Sequence, residues 1–288
     1  MPRKLISFDW AIKKLLRSKA NFGILEGFLS ELLYEDITIL EILESEANQE
    51  IYTDKFNRVD IKVKNHKEEI ILIEIQYGRE LDYMQRMLYG TSKVITEHIK
   101  EGDAYSKIVK VISINILYFD FGEGDDYVYR GTTVLKGIHN HSILKLNSRQ
   151  KELYKTDEVA KIYPEYYVIK VNNFNTIAKD SLDEWIYFLK TEQIENDFKA
   201  KGLQEAKEKL DYMKADETEQ KRYENFKREL HDKASEWEGT YIVGKIEGIK
   251  EGERKAKIEI AKSLLGLLDN ETIALKTGLS VEEIGGLE

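Results

Sequence analysis

The stretch Asn57–Gln76, NRVDIKVKNHKEEIILIEIQ, limits what this chain can fold into more than any other. Val59 to Lys64 alternates apolar and polar residues, and Ile70 to Gln76 is a short run dominated by isoleucine. Between them lies the polar turn Asn65-His66-Lys67-Glu68. Two such runs around a turn of this length predict an antiparallel hairpin. Side chains on a strand alternate faces, so Glu74 and Gln76 point one way and Ile71, Ile73 and Ile75 the other. Closing the hairpin brings Asp60 opposite Ile73 or Glu74. Two carboxylates and an amide then meet at the end of an apolar hairpin. A carboxylate within an Ile-Glu-Ile sequence is costly to bury without compensation. A divalent cation would compensate it. So would a purely structural arrangement, with Asp60 capping the strand and Glu74 paired with a lysine across the hairpin, such as Lys62.

The remaining sequence supplies a core around this hairpin. Phe8 to Ser18 and Phe22 to Tyr34 carry apolar residues at helical spacing, the second with Phe22, Leu25, Phe28, Leu29, Leu32 and Leu33 on one stripe. Glu26 and Glu31 are acidic residues of that second helix, where a solvated face is the simpler reading. Ile37 to Leu43 is apolar but fits neither period. Tyr77 to Lys100 predicts a long helix, with Leu81, Met84, Leu88, Val94, Ile95 and Ile99 recurring at three and four and with Arg79, Arg86 and Lys93 along it. Val109 to Phe119 predicts a central strand that is apolar on both faces. Thr132 to Leu135 and Leu144 to Leu146 are weaker strand signals, and Tyr166 to Val171 is a clear one. Strands and helices around one sheet predict an α/β (α+β) core over residues 1–178.

Beyond Asn175 the character changes. Residues 179–240 are helix-forming and charged, with apolar positions too sparse for a thick core of their own, which predicts hairpin helices or a self-association contact. Residues 241–288 begin with Gly244, Gly248 and Gly252, which predict a weakly helical connector because each glycine costs about 1 kcal/mol against alanine. Helix, Asp269-Asn270, helix, Gly278-Leu279-Ser280 and helix then follow. This resembles a helix-turn-helix, but too few residues remain after Ser280 for a groove-entering helix, so a small packing module is the expectation.

Composition narrows the classes. With no cysteine in 288 residues, a disulfide framework and a thiolate metal site are excluded. A net charge of −9 argues against a protein that coats nucleic acid nonspecifically. No secretory signal or membrane-length apolar run is present, so a cytoplasmic protein with no membrane partner is expected. Ile138-His139-Asn140-His141 contains the letters HNH without the surrounding pattern of a metal-dependent HNH site, and its histidines are expected in a loop.

The pattern D-x13-E-x-Q, carried by Asp60, Glu74 and Gln76, resembles the active-site hairpin of PD-(D/E)xK nucleases. It is closest in form to the recombination-promoting nuclease group, also described as PD-(D/E)xK nuclease family transposases, which carries Gln where the wider superfamily has Lys. Phe8-Asp9-Trp10-Ala11-Ile12-Lys13 is similar to that group's FDxAFK opening, with Ile12 in place of Phe. Gly27 to Leu33 resembles its FLNxxL helix, Arg86 to Thr91 its RxxYY-S segment, Asp183 to Leu189 its core-closing helix, and Thr277 to Ser280 its terminal TGLS.

The resemblance implies a restriction-endonuclease-like mixed sheet flanked by helices and followed by an all-helical C-terminal region. It implies a metal-dependent DNA endonuclease with Asp60, Glu74 and Gln76 as catalytic residues. Mg²⁺, with Mn²⁺ able to substitute, would be held by Asp60, Glu74 and the backbone carbonyl of Ile75. Gln76 would orient the attacking water, since an amide hydrogen-bonds but carries no charge and is no base near neutral pH. Arg86, Arg79 and Lys93 would meet the backbone of double-stranded DNA. A homodimer would let two such sites address two strands. The residues also admit a catalytically inactive DNA-binding recombination accessory protein, or a helical self-association protein with a structural acidic pair.

Overall fold

The computed structural model describes residues 22–43, 61–215 and 217–287. Helix α1 (Phe22–Leu33) leads into strand β1 (Ile39–Leu43), which pairs antiparallel with β2 (Ile61–Asn65). β2 turns back into β3 (Ile70–Gln76), with Ile61 opposite Ile73. The turn is fixed by Asn65, whose buried Oδ1 accepts from the backbone N–H groups of Lys67 (3.0 Å) and Glu69 (2.9 Å). An asparagine that supplies a local acceptor in this way is a standard reason for a chain to turn.

Helix α2 (Tyr83–Glu97) then carries the chain across to β4 (Val111–Leu117), which lies parallel to β3. β5 (Val128–Gly131), the short α3 (Ser148–Tyr154) and β6 (Glu165–Lys170) follow. The six-stranded sheet has the order β1-β2-β3-β4-β6-β5, with β4 parallel to β6 and β5 antiparallel at the edge. β3 and β4, at the centre, are buried along almost their whole length. That is why their sequences are continuous apolar runs rather than alternations. On one face Ile70, Leu72 and Val111 pack against Val94 of α2.

Helix α4 (Ser181–Thr191) belongs to the same unit. Its Trp185 lies edge-on to Phe28 of α1 with ring centroids 5.5 Å apart, and both rings are buried. Such a pair adds about 0.5–1.5 kcal/mol beyond its area. Helix α5 (Leu203–Ala215) buries Leu203, Ala206 and Leu210 and also packs on α1. The sparse apolar residues at the start of the helical half are thus spent on the core.

The chain divides into two compact units, Met1–Gln220 and Lys221–Glu288. Helix α6 (Glu217–Leu264, 48 residues), which belongs to the second unit from Lys221 onward, is continuous through Gly244, Gly248 and Gly252. The segment expected to be a weakly helical connector is thus part of one long helix. Four glycine penalties, Gly239 included, are spread over a long helix that contains no proline and gains i,i+4 pairs such as Glu251–Lys255. Helices α7 (Asn270–Thr277) and α8 (Val281–Gly285) close this unit, with Ala261, Ile273, Leu279 and Ile284 as its core. Asp269 caps α7, Gly278 ends it in a left-handed conformation (φ 71°), and Ser280 with Glu283 forms a capping box on α8. At 5 residues α8 is too short to enter a groove.

Other expectations shift in detail. Ile37 to Leu43 yields an edge strand. The helix expected from Tyr77 starts at Tyr83, after a connection over residues 77–82. Its Leu81, Met84 and Leu88 are exposed, and α2 instead buries Tyr83, Gly90, Thr91 and Val94. The segments Thr132–Leu135 and Leu144–Leu146 form no strand; a single bridge joins Lys136 to Ile143. β5 escapes a sequence reading because it is 4 residues long and half exposed. The helix expected over Phe8–Ser18 lies outside the described residues.

The approach of α1 to the segment before α5 has no slack. A Cβ added at Gly27 would stand 2.1 Å from the backbone oxygen of Lys201 and 2.9 Å from Cα of Gly202. Because backbone is the obstacle, Gly27→Ala should destabilise the protein by about 1–3 kcal/mol. Chemical denaturation measures this. An unchanged or raised midpoint would contradict the packing described.

Candidate active site

The site lies at the C-terminal end of β3. Period two turns Ile71, Ile73 and Ile75 to one face, all buried, and Glu74 and Gln76 to the other, toward α2. Glu74 is only 9% exposed. A carboxylate at that depth requires a counter-charge, and Arg86, one turn into α2, supplies it: Nη2 lies 2.5 Å from Glu74 Oε1. The other guanidinium nitrogen, Nη1, donates to Glu80 Oε1 at 2.8 Å. Gln76 Nε2 donates to the same Glu80 oxygen at 2.9 Å and to the carbonyl of Gly78 at 3.2 Å. Glu74, Arg86, Glu80 and Gln76 thus form one connected polar array. Burial opposes the charge on Arg86, yet the two carboxylates hold its guanidinium pKa above the ordinary value.

Beneath the array lies a polar floor. Asn115 of β4 stands beside Glu74 in the parallel register, and Ser113 beside Leu72. Asn115 accepts from the Tyr83 hydroxyl (3.1 Å) and donates to Ser113 Oγ (3.0 Å) and the Tyr167 carbonyl (3.1 Å). Glu74, Tyr83, Arg86, Ser113 and Asn115 line one shallow pocket together with Gly90. Met87 and Thr91 of α2 complete the lining with Leu72.

The sequence-based candidates fall as follows. Glu74, Gln76 and Arg86 are brought together. Asp60 lies outside the described residues; it immediately precedes Ile61, whose partner is Ile73. Ile75, whose carbonyl is the third expected oxygen, pairs with Ile116 in the β3–β4 ladder. Lys62 is paired with Glu97 at 3.2 Å rather than with Glu74. Arg79 is exposed in the connection before α2, not on the helix itself, and Lys93 is half-buried two turns beyond Arg86. Glu26 and Glu31 bind backbone instead of joining the site: Glu26 accepts from the Ile39 N–H (2.8 Å) and Glu31 from that of Lys201 (3.3 Å). His139 and His141 lie in an exposed loop.

Glu80, Tyr83, Ser113 and Asn115 were not among the sequence candidates. One signal was present: Ser113 and Asn115 are the only polar residues of β4 and sit two apart, on a single face. Glu80 carries no periodic signal, because it sits in a connection.

As donors, Glu74 and Glu80 offer hard carboxylate oxygens, and the chain has no thiol. That chemistry fits Mg²⁺ or Mn²⁺, ions that retain several waters and need few protein ligands. Among the described residues no group of three or more His, Asp or Glu side chains forms a complete cage. Nor, among them, is any helix long and apolar enough to cross a membrane.

No curated protein and no solved structure matches the chain. Residues 6–240 match the family described as PD-(D/E)XK nuclease family transposase, which takes in the whole sheet, the site array and α1 to α5. A mixed six-stranded sheet with flanking helices and a helical C-terminal region is the architecture that this family implies. PD-(D/E)XK nucleases generally use divalent metal ions, and the chain belongs to the PD-(D/E)XK nuclease family transposases.

Proposed function

We propose that the chain is a Mg²⁺- or Mn²⁺-dependent endonuclease of double-stranded DNA, of the recombination-promoting type, with its centre at Glu74. The observation that supports this most is the nearly buried Glu74 carboxylate held against Arg86 at the open end of β3. Glu74 would hold the cation together with Asp60 and the Ile75 carbonyl. A cation there supplies Lewis-acid stabilisation of the phosphate and lowers the pKa of a coordinated water. The protein's own groups do the rest. Gln76 orients the attacking water, and Arg86, once Glu74 is shared with a cation, offers its guanidinium to the phosphate oxygens, whose geometry it matches. Water oxygen bonds to phosphorus as the bond to the leaving sugar oxygen breaks, and a water proton ends on that oxygen.

Plasmid cleavage tests this reading. Activity should appear with Mg²⁺ or Mn²⁺ and vanish in EDTA. Asp60→Ala and Glu74→Ala should each lower the rate by about 100-fold or more, the scale at which removing a metal or acid–base group acts. Full activity in EDTA would overturn the metal dependence. The Glu74–Arg86 pair also favours a second reading, a DNA-binding accessory protein in which the pair is structural. Metal-supported binding of DNA with no cleavage under any cation would select it.

The active species is, in this proposal, a homodimer built on α6. Ile242, Ile246, Ile249 and Ile260 are each about half exposed and follow a four-three seam, with Glu253 and Ala256 at the intervening positions. An antiparallel second copy would set Ile242 against Ile260 of the partner subunit and Lys245 against the partner's Glu259. Light scattering should give twice the chain mass at micromolar concentration and a monomer for Ile246→Glu. A monomeric wild type would overturn the dimer.

A further inference from the structure

The polar array fixes more than the counter-charge of Glu74. Both amide hydrogens of Gln76 are directed at acceptors of the connection between β3 and α2: the Gly78 carbonyl at 3.2 Å and Glu80 Oε1 at 2.9 Å. Neither acceptor can donate, so the orientation of the amide is set by chemistry and not by a choice between its O and N. Gln76 Oε1 is then the polar atom turned away from the connection. Glu80 Oε1 simultaneously accepts from Arg86 Nη1 at 2.8 Å, and Arg86 reaches Glu74 with its other nitrogen. Glu80 therefore binds both groups that flank Glu74, Gln76 and Arg86.

We propose that Glu80 is the positioning residue of this site: it holds Gln76 with its amide oxygen toward the reacting water and shares Arg86 with Glu74, so that the guanidinium is anchored on both carboxylates. The inference rests on the nuclease reading above. Its physical content is directional. With the oxygen presented, Gln76 accepts a hydrogen bond from the attacking water and leaves that water's lone pair to face phosphorus. With the amide reversed, Gln76 would donate into the lone pair that must attack. Misplacing a reacting group by a fraction of its bond length carries large rate penalties, up to about 100-fold for roughly 1 Å. Glu80 also divides the Arg86 charge between two carboxylates. Without it Arg86 pairs with Glu74 alone and competes more strongly with an incoming cation, and the site loses one negative charge. Both effects weaken cation binding.

The test uses the full chain and Glu80→Gln, which keeps the shape and removes the charge. Calcium titration by calorimetry should show affinity lowered about fivefold, and Mg²⁺-dependent cleavage should show kcat lowered about tenfold with KM for DNA within about twofold. The decisive comparison is in a Gln76→Ala background. There, at saturating Mg²⁺, Glu80→Gln should lower kcat by less than about twofold, because the amide that Glu80 positions is gone and residues that act as a unit are not additive, while the lowered Ca²⁺ affinity, which runs through Arg86, should persist. A role confined to stability would lower both backgrounds alike, and that outcome overturns the proposal. So does wild-type protein that binds Ca²⁺ and cleaves DNA while Glu80→Gln matches it in both. A wild type that neither binds Ca²⁺ nor cleaves overturns the nuclease reading itself, and this proposal with it.

Discussion

The burial of one carboxylate organises this molecule. Glu74 sits among isoleucines on a central strand, where an unpaired charge would cost several kcal/mol. Arg86 meets that cost, and to do so α2 must cross the sheet close to the end of β3. Gly90 and Thr91 are buried on α2 beside the site pocket, and Tyr83 hydrogen-bonds Asn115 beneath it. The pocket beside Glu74 is a consequence of this crossing. Replacing the ion pair with apolar residues of similar size would leave most of the packing intact, so stability alone does not account for keeping a charge there. The proposed exchange of Arg86 for a divalent cation would account for it.

The same geometry separates the roles of the basic residues. Both terminal nitrogens of Arg86 are engaged by carboxylates, so it cannot act as an ordinary solvated helix charge. Arg79 and Lys93 have no comparable anchoring in the array, and a contribution to DNA binding from them would be one of general charge. The chain's net charge of −9 makes such local placement more important than overall attraction.

Much of the fold was legible in the sequence because burial wrote it there. The hairpin, the doubly buried β4 and the caps at Asp269, Gly278 and Ser280 each leave a local chemical mark. The alternation of Glu74 and Gln76 against three isoleucines predicted which side chains share a face. Three things were not legible. Leu81, Met84 and Leu88 have helical spacing but stay exposed, since a period shows that a stripe exists and not whether anything covers it. Gly244, Gly248 and Gly252 pointed to a weakly helical connector but gave no sign of the length of the helix, 48 residues, in which they lie. Glu80 was invisible because its partners, Gln76 and Arg86, come together only when the connection 77–82 folds back over the end of β3.

In the proposed mechanism Glu74 exchanges Arg86 for a divalent cation. Anomalous diffraction from crystals of the full chain grown with Mn²⁺ tests it most directly. A manganese peak is expected about 2.0–2.2 Å from a Glu74 carboxylate oxygen, with the Arg86 guanidinium drawn away from Glu74 and still held by Glu80. A map with no peak at Glu74, and the Glu74–Arg86 pair unchanged at saturating Mn²⁺, would contradict it.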